Sequence, residues 1–428
     1  MKKYLPLFLV ELYLIFTILI YYFGPVRFSG HNSDLFILLI FLYHLAFILG
    51  YFISIRLYRY NGCKFKISFS STFFYFSLFF ALISVLITYK NLMLAPSIIP
   101  YNILGDIFYG FTNPGLVYAE RMESIRQESY TSSRFLNIIS IFFSFFKLFF
   151  IFLFIYFWKE LSLFKKTLAV IYSVLFISSG VSSGTNSVIF IFFIFFMFSL
   201  LTVLYVRKSK YFSRLLFFMG MVFLVPIAYF GFIMSQRGGG FDYFSGTSPL
   251  GDISVSVQTP SLDGFLDFLF YSFVWLNYYL VQGYYGFSLT LNLDLNWTFG
   301  FGNSAFLQRQ FLILTGVDVS DWTFQARISE FWDASAQWHS FYGQFSNDFG
   351  FIGLSMLMMF LGFFLARVWT SIIYNNSFYG ISLIPIFMLM FIFFPANNQV
   401  FGYIDTLSYF IFISIFWFFE DKRIRFRL

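Results

Sequence analysis

Ten predominantly apolar runs, each of about 17 to 22 residues, constrain this chain more than any other feature. They fall at 4–23, 35–55, 69–89, 138–158, 163–179, 186–206, 215–234, 349–366, 378–394 and 403–419. At 1.5 Å per residue a helix of that length crosses roughly 30 Å of hydrocarbon. Composition agrees: 59% of residues are apolar and 11% charged, whereas a soluble domain carries roughly 25% charge. So few charges cannot cover a water-facing surface, which excludes a soluble enzyme. The same hydrophobicity excludes a disordered chain. The sequence predicts an all-α polytopic membrane protein of about ten transmembrane helices, with residues 1–428 forming a single transmembrane domain. Cys63 is the lone cysteine, so neither a disulfide framework nor a cysteine-rich metal site is available. No metal and no cofactor is expected. The 73 phenylalanines carry no functional message, because phenylalanine can replace leucine against lipid.

Charge sets the expected orientation. Lysines and arginines gather at Lys2/Lys3, at Arg56, Arg59, Lys64 and Lys66, and at Lys159, Lys165 and Lys166. Further groups are Arg207, Lys208, Lys210 and Arg214, then Arg367, then the C-terminal segment from Lys422 to Arg427. Cytoplasmic loops carry this excess, and the intervening loops are net acidic. The net charge of +7 is therefore a topology signal, and no nucleic-acid partner is expected. The run after Lys2-Lys3 resembles a signal peptide, but it is too long for an h-region and lacks a small-x-small cleavage site. It is expected to be the first span. Two basic termini imply an even number of crossings, both termini cytoplasmic, and two large external regions at 90–137 and 235–348. The run 265–286 contains Asp267, Asn277 and Gln282. It is then a re-entrant or interfacial helix; eleven crossings, with one terminus outside, is the alternative.

Polar chemistry concentrates in those two regions. Asn113-Pro114 reads as an N-cap with proline at the first helical position, followed by a mixed-charge helix. That helix is either a solvated surface or a support for Arg121 and Arg126 at an external site. Residues 238–240, three glycines, read as a hinge. Arg237 before them suits bidentate phosphate contact or a lipid-headgroup anchor. Tyr279, Gln282, Tyr284 and Tyr285 are either interfacial anchors or a sugar-binding surface, since aromatic rings stack on sugars and amides bond hydroxyls. Arg309 and Arg327 add cations. The densest cluster holds Glu330, Asp333, Trp338, His339 and Tyr342. An imidazole can take a proton from a sugar hydroxyl near neutral pH, and Glu330 or Asp333 would orient it; a structural histidine is the other reading. Asn347-Asp348 reads as the N-cap of the next span. Within the membrane Glu11, His44 and Lys147 stand out, and the simplest expectation is pairing, with Glu11 neutralising Lys147. The chain has no P-loop, no Asp-x-Asp and no H-E-x-x-H, and its glycine spacing lacks a βαβ setting.

Three segments resemble Wzy-type oligosaccharide repeat-unit polymerases: 279–289 (YLVQGYYGFSL), 298–307 (TFGFGNSAFL) and 329–353, which contains WHSFY followed by DFG. Ser183-Gly184-Thr185-Asn186 is similar to the family's G-T-R type turn, with Asn186 in place of the arginine. The resemblance implies a glycosyltransferase of the bacterial cytoplasmic (inner) membrane. A glycan leaves its polyprenyl diphosphate and joins a hydroxyl of an incoming lipid-linked unit, extending an O-antigen-type polysaccharide on the outer face. Arg237, Arg309 and Arg327 would stabilise the departing diphosphate, His339 would act as base, and the tyrosines and Trp338 would hold sugar rings. Partners would be the polyprenyl-diphosphate-linked donor and acceptor, membrane lipids and a chain-length regulator. A flippase for the same lipid-linked oligosaccharide and an O-antigen ligase are the alternatives. A reporter fused at Gly302 is expected to read as external; a cytoplasmic reading overturns the topology.

Overall fold

The computed structural model describes residues 2–28, 32–58, 67–95, 97–126, 134–237, 255–257, 264–334 and 337–421. They are almost entirely helical. In order, the helices are α1 (Leu5–Phe23), α2 (Ser33–Leu57), α3 (Ser71–Met93), α4 (Ile103–Thr112), α5 (Pro114–Arg126), α6 (Arg134–Phe143), α7 (Phe145–Tyr156) and α8 (Leu163–Ser182). Then come α9 (Asn186–Val206), α10 (Phe212–Arg237), α11 (Phe265–Thr290), α12 (Ala305–Thr315), α13 (Phe324–Arg327), α14 (Phe341–Asn375), α15 (Phe378–Phe393) and α16 (Ile404–Asp421). One short antiparallel ladder pairs Val26 with Val257 and Phe28 with Val255. Among the described residues eight helical stretches are long and apolar enough to cross a membrane, at the positions of the first eight expected runs. The last two expected spans are also helices. At 16 residues α15 is short, and α16 is 18 residues long with Asp405, Glu420 and Asp421 near its ends. The helix after Asn113 starts at Pro114 as read. The three glycines 238–240 lie outside the described residues.

The chain divides into two compact units. Unit 1 comprises Met1–Lys64, Phe241–Asn375 and Phe387–Tyr403. Its axis is the pair α2 and α14. A Cβ at Gly50 would sit 1.9 Å from the Met359 carbonyl oxygen, and one at Gly362 would sit 2.0 Å from that of Phe47. Only glycine permits backbones this close, the usual device where helices associate without a hydrophobic driving force. The expected re-entrant or interfacial segment is α11, one unbroken 26-residue helix. Nearly all of its residues from Val281 to Thr290 are buried, whereas Leu266, Leu269 and Phe273 near its start are exposed. Buried Tyr284 donates or accepts a 3.0 Å hydrogen bond with Thr17 of α1, and its ring stacks on Tyr342.

Unit 2 comprises Phe65–Gly240, Asn376–Ile386 and Ile404–Leu428. Its centre is α7, buried over almost its whole length and packed against α3, α9 and α16. Phenylalanine supplies most of this core; Phe80 stacks on Phe143 at 4.3 Å.

The intramembrane charges pair, but not as expected. Glu11 bonds His44 at 2.7 Å within unit 1. Lys147 bonds Asp405 and also Thr88 at 2.9 Å, within unit 2. The sequence reading did not single out Asp405, although it falls within the 403–419 run. An unpaired charge in hydrocarbon is far more costly than a paired one, so the chain supplies a partner from α16. Lys147→Met is expected to destabilise the detergent-solubilised protein by about 3–5 kcal/mol. The double variant Lys147→Met/Asp405→Leu should lose clearly less. Denaturant titration checks this; additive losses would show that the two groups are uncoupled.

Candidate functional site

The polar residues of unit 1 are organised by a break in α14. Gly350 adopts φ +68° and ψ 169° inside that helix, which interrupts the i→i+4 ladder. Freed carbonyls must find other donors. Thr298 Oγ1 donates to the Asn347 carbonyl at 3.0 Å, and the Trp297 indole to that of Asp348 at 2.9 Å. The glycine-rich loop is thereby held against the break.

Asp348 completes the join. Its carboxylate accepts from Thr298 Oγ1 (2.5 Å), Gly300 N (2.9 Å), Gly302 N (3.1 Å), Asn303 N (3.1 Å) and Asn303 Nδ2 (2.8 Å). The expected N-cap role is therefore corrected: a helical segment does begin after the Gly350 kink, but the Asp348 carboxylate accepts from a distant loop and from none of that segment's first N–H groups. The loop needs its glycines, since a Cβ at Gly302 would lie 2.1 Å from Thr298 Oγ1. Asn347 extends the network, accepting from Phe324 N and donating to Gln325 Oε1 at 2.8 Å. Asn398 Nδ2 donates to the Asn303 carbonyl at 2.7 Å, and Gln344 Nε2 to Asn397 Oδ1 at 3.2 Å. The sequence reading missed Asn397 and Asn398. Consecutive amides between the last two apolar runs were the available signal.

His339 lies one turn before α14. Ser340 N donates to the Gly283 carbonyl at 3.2 Å, and Phe341 N to that of Phe394 at 2.9 Å, which fixes the segment. The imidazole is 4% exposed. It rests on Gly286, where a Cβ would come within 3.0 Å of its Nδ1 and 2.8 Å of the Trp332 indole nitrogen. Burial disfavours the charged ring and pulls its pKa down to about 3. Among the described residues its Nε2 has no hydrogen-bond partner. Glu330 and Asp333 are exposed, and neither forms an ion pair with the ring among the described residues. The expected carboxylate orientation of His339 is thus replaced by backbone anchoring and the Gly286 seat.

The expected sugar-binding residues separate by burial. Gln282, Tyr284, Tyr285 and Tyr342 are 2% exposed or less and serve the interior of unit 1; Gln282 Oε1 accepts from Trp338 N at 3.1 Å. Tyr279 and Trp338 are half-buried and meet edge to face at 4.8 Å. These two rings remain reachable. Arg309 stands exposed on α12, and Arg327 donates to the Asp294 carbonyl.

Within unit 2, Arg121 and Arg237 meet at one turn. Arg121 Nη1 donates to Thr185 Oγ1 at 3.0 Å, and Arg237 Nη2 donates to the Gly184 carbonyl. The Arg237 guanidinium stacks on Tyr118, 3.5 Å from the ring centroid. Gly184 has φ +59°, and a Cβ there would lie 2.5 Å from the Pro114 carbonyl oxygen. The turn leads into α9, whose N-cap Thr185 makes no side-chain cap bond. Two guanidinium groups therefore bond the turn at the positive end of a 21-residue helix, a setting that favours an anion. The side chain of Arg126, at the end of α5, lies outside the described residues.

No protein-family model matches the chain, and neither a curated protein nor a solved structure is detectably similar to it.

The neutral imidazole makes stability depend on pH. Its pKa is about 3 folded and 6.5 unfolded, so below pH 6.5 the unfolded chain takes up a proton that the folded chain refuses. This contribution is complete above pH 6.5 and is lost as pH falls towards 3. At pH 5 wild type should have lost about 2 kcal/mol more than His339→Gln, relative to pH 7.5. Unfolding measured at both pH values checks this; equal losses would mean the ring is not held neutral.

Proposed function

We propose that this protein joins polyprenyl-diphosphate-linked oligosaccharide units by glycosyl transfer at the external face of the bacterial cytoplasmic membrane. The observation that carries this reading is the arginine pair on the 183–186 turn. The resemblance left that turn short of an arginine at Asn186, and Arg121 and Arg237 bring two guanidinium groups to it. A diphosphate leaving group develops charge as the sugar departs, and preorganised cations stabilise charge of that kind.

In the reaction the bond from the donor's anomeric carbon to the diphosphate oxygen breaks. A bond from that carbon to the acceptor hydroxyl oxygen forms, and the hydroxyl proton needs a base. The resemblance gives that role to His339, which belongs to unit 1. Its Nε2 is not otherwise engaged among the described residues, and the ring must leave its buried setting to regain the basicity that proton abstraction near neutral pH requires. A hydroxyl can reach this nitrogen only if the 337–340 segment opens. The half-exposed rings of Tyr279 and Trp338 suit a sugar face, and both lie beside that segment. The donor arrives activated, so neither ATP nor a nucleotide sugar is needed.

Proteoliposomes supplied with lipid-linked repeat units test this. Elongated lipid-linked product is expected; translocation without elongation would mean a flippase, and transfer only to lipid A core a ligase. Arg237→Ala should lower elongation about 10²-fold or more, with partial recovery in Arg237→Lys. Elongation at the wild-type rate in Arg237→Ala would remove the basis of the proposal.

A further inference from the structure

A cavity of about 300 Å³ opens in unit 2, away from the arginine-bearing turn. Its position is set by where helices stop. Tyr156 ends α7, Val203 and Val206 lie in the last turn of α9, Ile67 precedes α3, and Asn376 and Ile381 flank the start of α15. Helices that cross a bilayer end near its headgroups, so the cavity lies at headgroup depth. Its walls are chemically divided. Ile67, Val203, Val206 and Ile381 supply its apolar lining, and Tyr156, Arg207 and Asn376 its polar lining.

The charge around it is predominantly positive. The α7–α8 connection and the start of α8 carry Lys159, Lys165 and Lys166; the α9–α10 connection and the start of α10 carry Arg207, Lys208, Lys210 and Arg214. Arg207 ties the two connections together: Nη2 donates to the Tyr156 carbonyl at 2.5 Å, and the guanidinium lies 5.0 Å from the Tyr156 ring centroid. It is otherwise exposed. Lys166 lies over Trp158, and Lys165 over Phe69 and Tyr75. Two acids act on Tyr156 from nearby, Glu160 and Glu420. The Glu420 carboxylate is already taken, accepting from Ser377 Oγ and from Phe378 N and Tyr379 N. Cations on aromatic stems, beside a half-apolar cavity at headgroup depth, match a phosphate group attached to a hydrocarbon chain. The volume is at the small end of ligand pockets, enough for a headgroup and the first part of a chain.

We propose that this cavity is a specific site for an anionic glycerophospholipid, with its phosphate on Arg207 and an acyl chain along Val203, Val206 and Ile381. The site is independent of the glycosyl-transfer reading. Occupancy would brace the connection between α7 and α9 from outside.

The test uses the full chain in vesicles of phosphatidylcholine with and without phosphatidylglycerol. Native mass spectrometry then reads the lipid retained after detergent extraction. Wild type should keep one phosphatidylglycerol. Any single interfacial cation contributes roughly fivefold to anionic-lipid binding, so Arg207→Ala must weaken retention by more than that, and Arg207→Lys by less than Arg207→Ala. Val206→Trp fills the cavity with every cation in place and should weaken it as strongly, whereas Arg214→Ala should not exceed fivefold. Three results would each overturn the site. They are wild-type retention in Val206→Trp, equal losses for Arg214→Ala and Arg207→Ala (a diffuse basic surface), and displacement of the lipid by inorganic phosphate at equal concentration (a free-anion site).

Discussion

Hydrocarbon offers no hydrogen bonds, and nearly every feature of this molecule answers to that. Backbone groups are satisfied inside helices, and where a helix breaks, side chains must replace the missing bonds. Gly350 is the clearest case. The break there frees the carbonyls of Asn347 and Asp348, and Trp297 and Thr298 bond them. A carboxylate with five donors then locks the same loop in place. The glycine-rich segment is thus first a structural plug: Gly302 is required by contact with Thr298 and Asn347, and Gly300 by its φ of +88°.

The same economy governs charge. Glu11 with His44 and Lys147 with Asp405 each place opposite partners together inside an apolar unit. Two further groups of cations gather near helix ends. One group sits over the N-terminus of α9, where a helix dipole adds to it. Another gathers where α7 and α9 end, and aromatic rings carry it. The protein therefore offers two cationic places of different construction. One is a tight turn with two guanidinium groups, suited to a compact anion. The other is a half-apolar cavity, suited to an amphiphile.

Burial divides the aromatic segment in the same way. Residues 278–286 read as either interfacial anchors or a sugar-binding surface throughout, because composition carries no information about which face of a helix is covered. Packing on α1 and α14 hides Tyr284, Tyr285 and Gln282 and leaves Tyr279 beside Trp338 at the edge. For His339 the covering has a chemical effect, since an imidazole in that setting stays neutral.

The long apolar helices and most of their boundaries were legible in the sequence, because apolar run length and the Asn113-Pro114 signal are local properties of the chain. All ten expected spans are helical, and α5 starts at Pro114. Partner choice was not legible. Lys147 looked equally able to pair with Glu11, yet Asp405 is the residue that packing brings to it. Asp348 looked like a cap because caps are local, whereas its donors lie some 45 to 50 residues earlier. A pairing across such separations depends on which helices touch, and close approaches such as Gly50 on Met359 decide that only once the chain is packed.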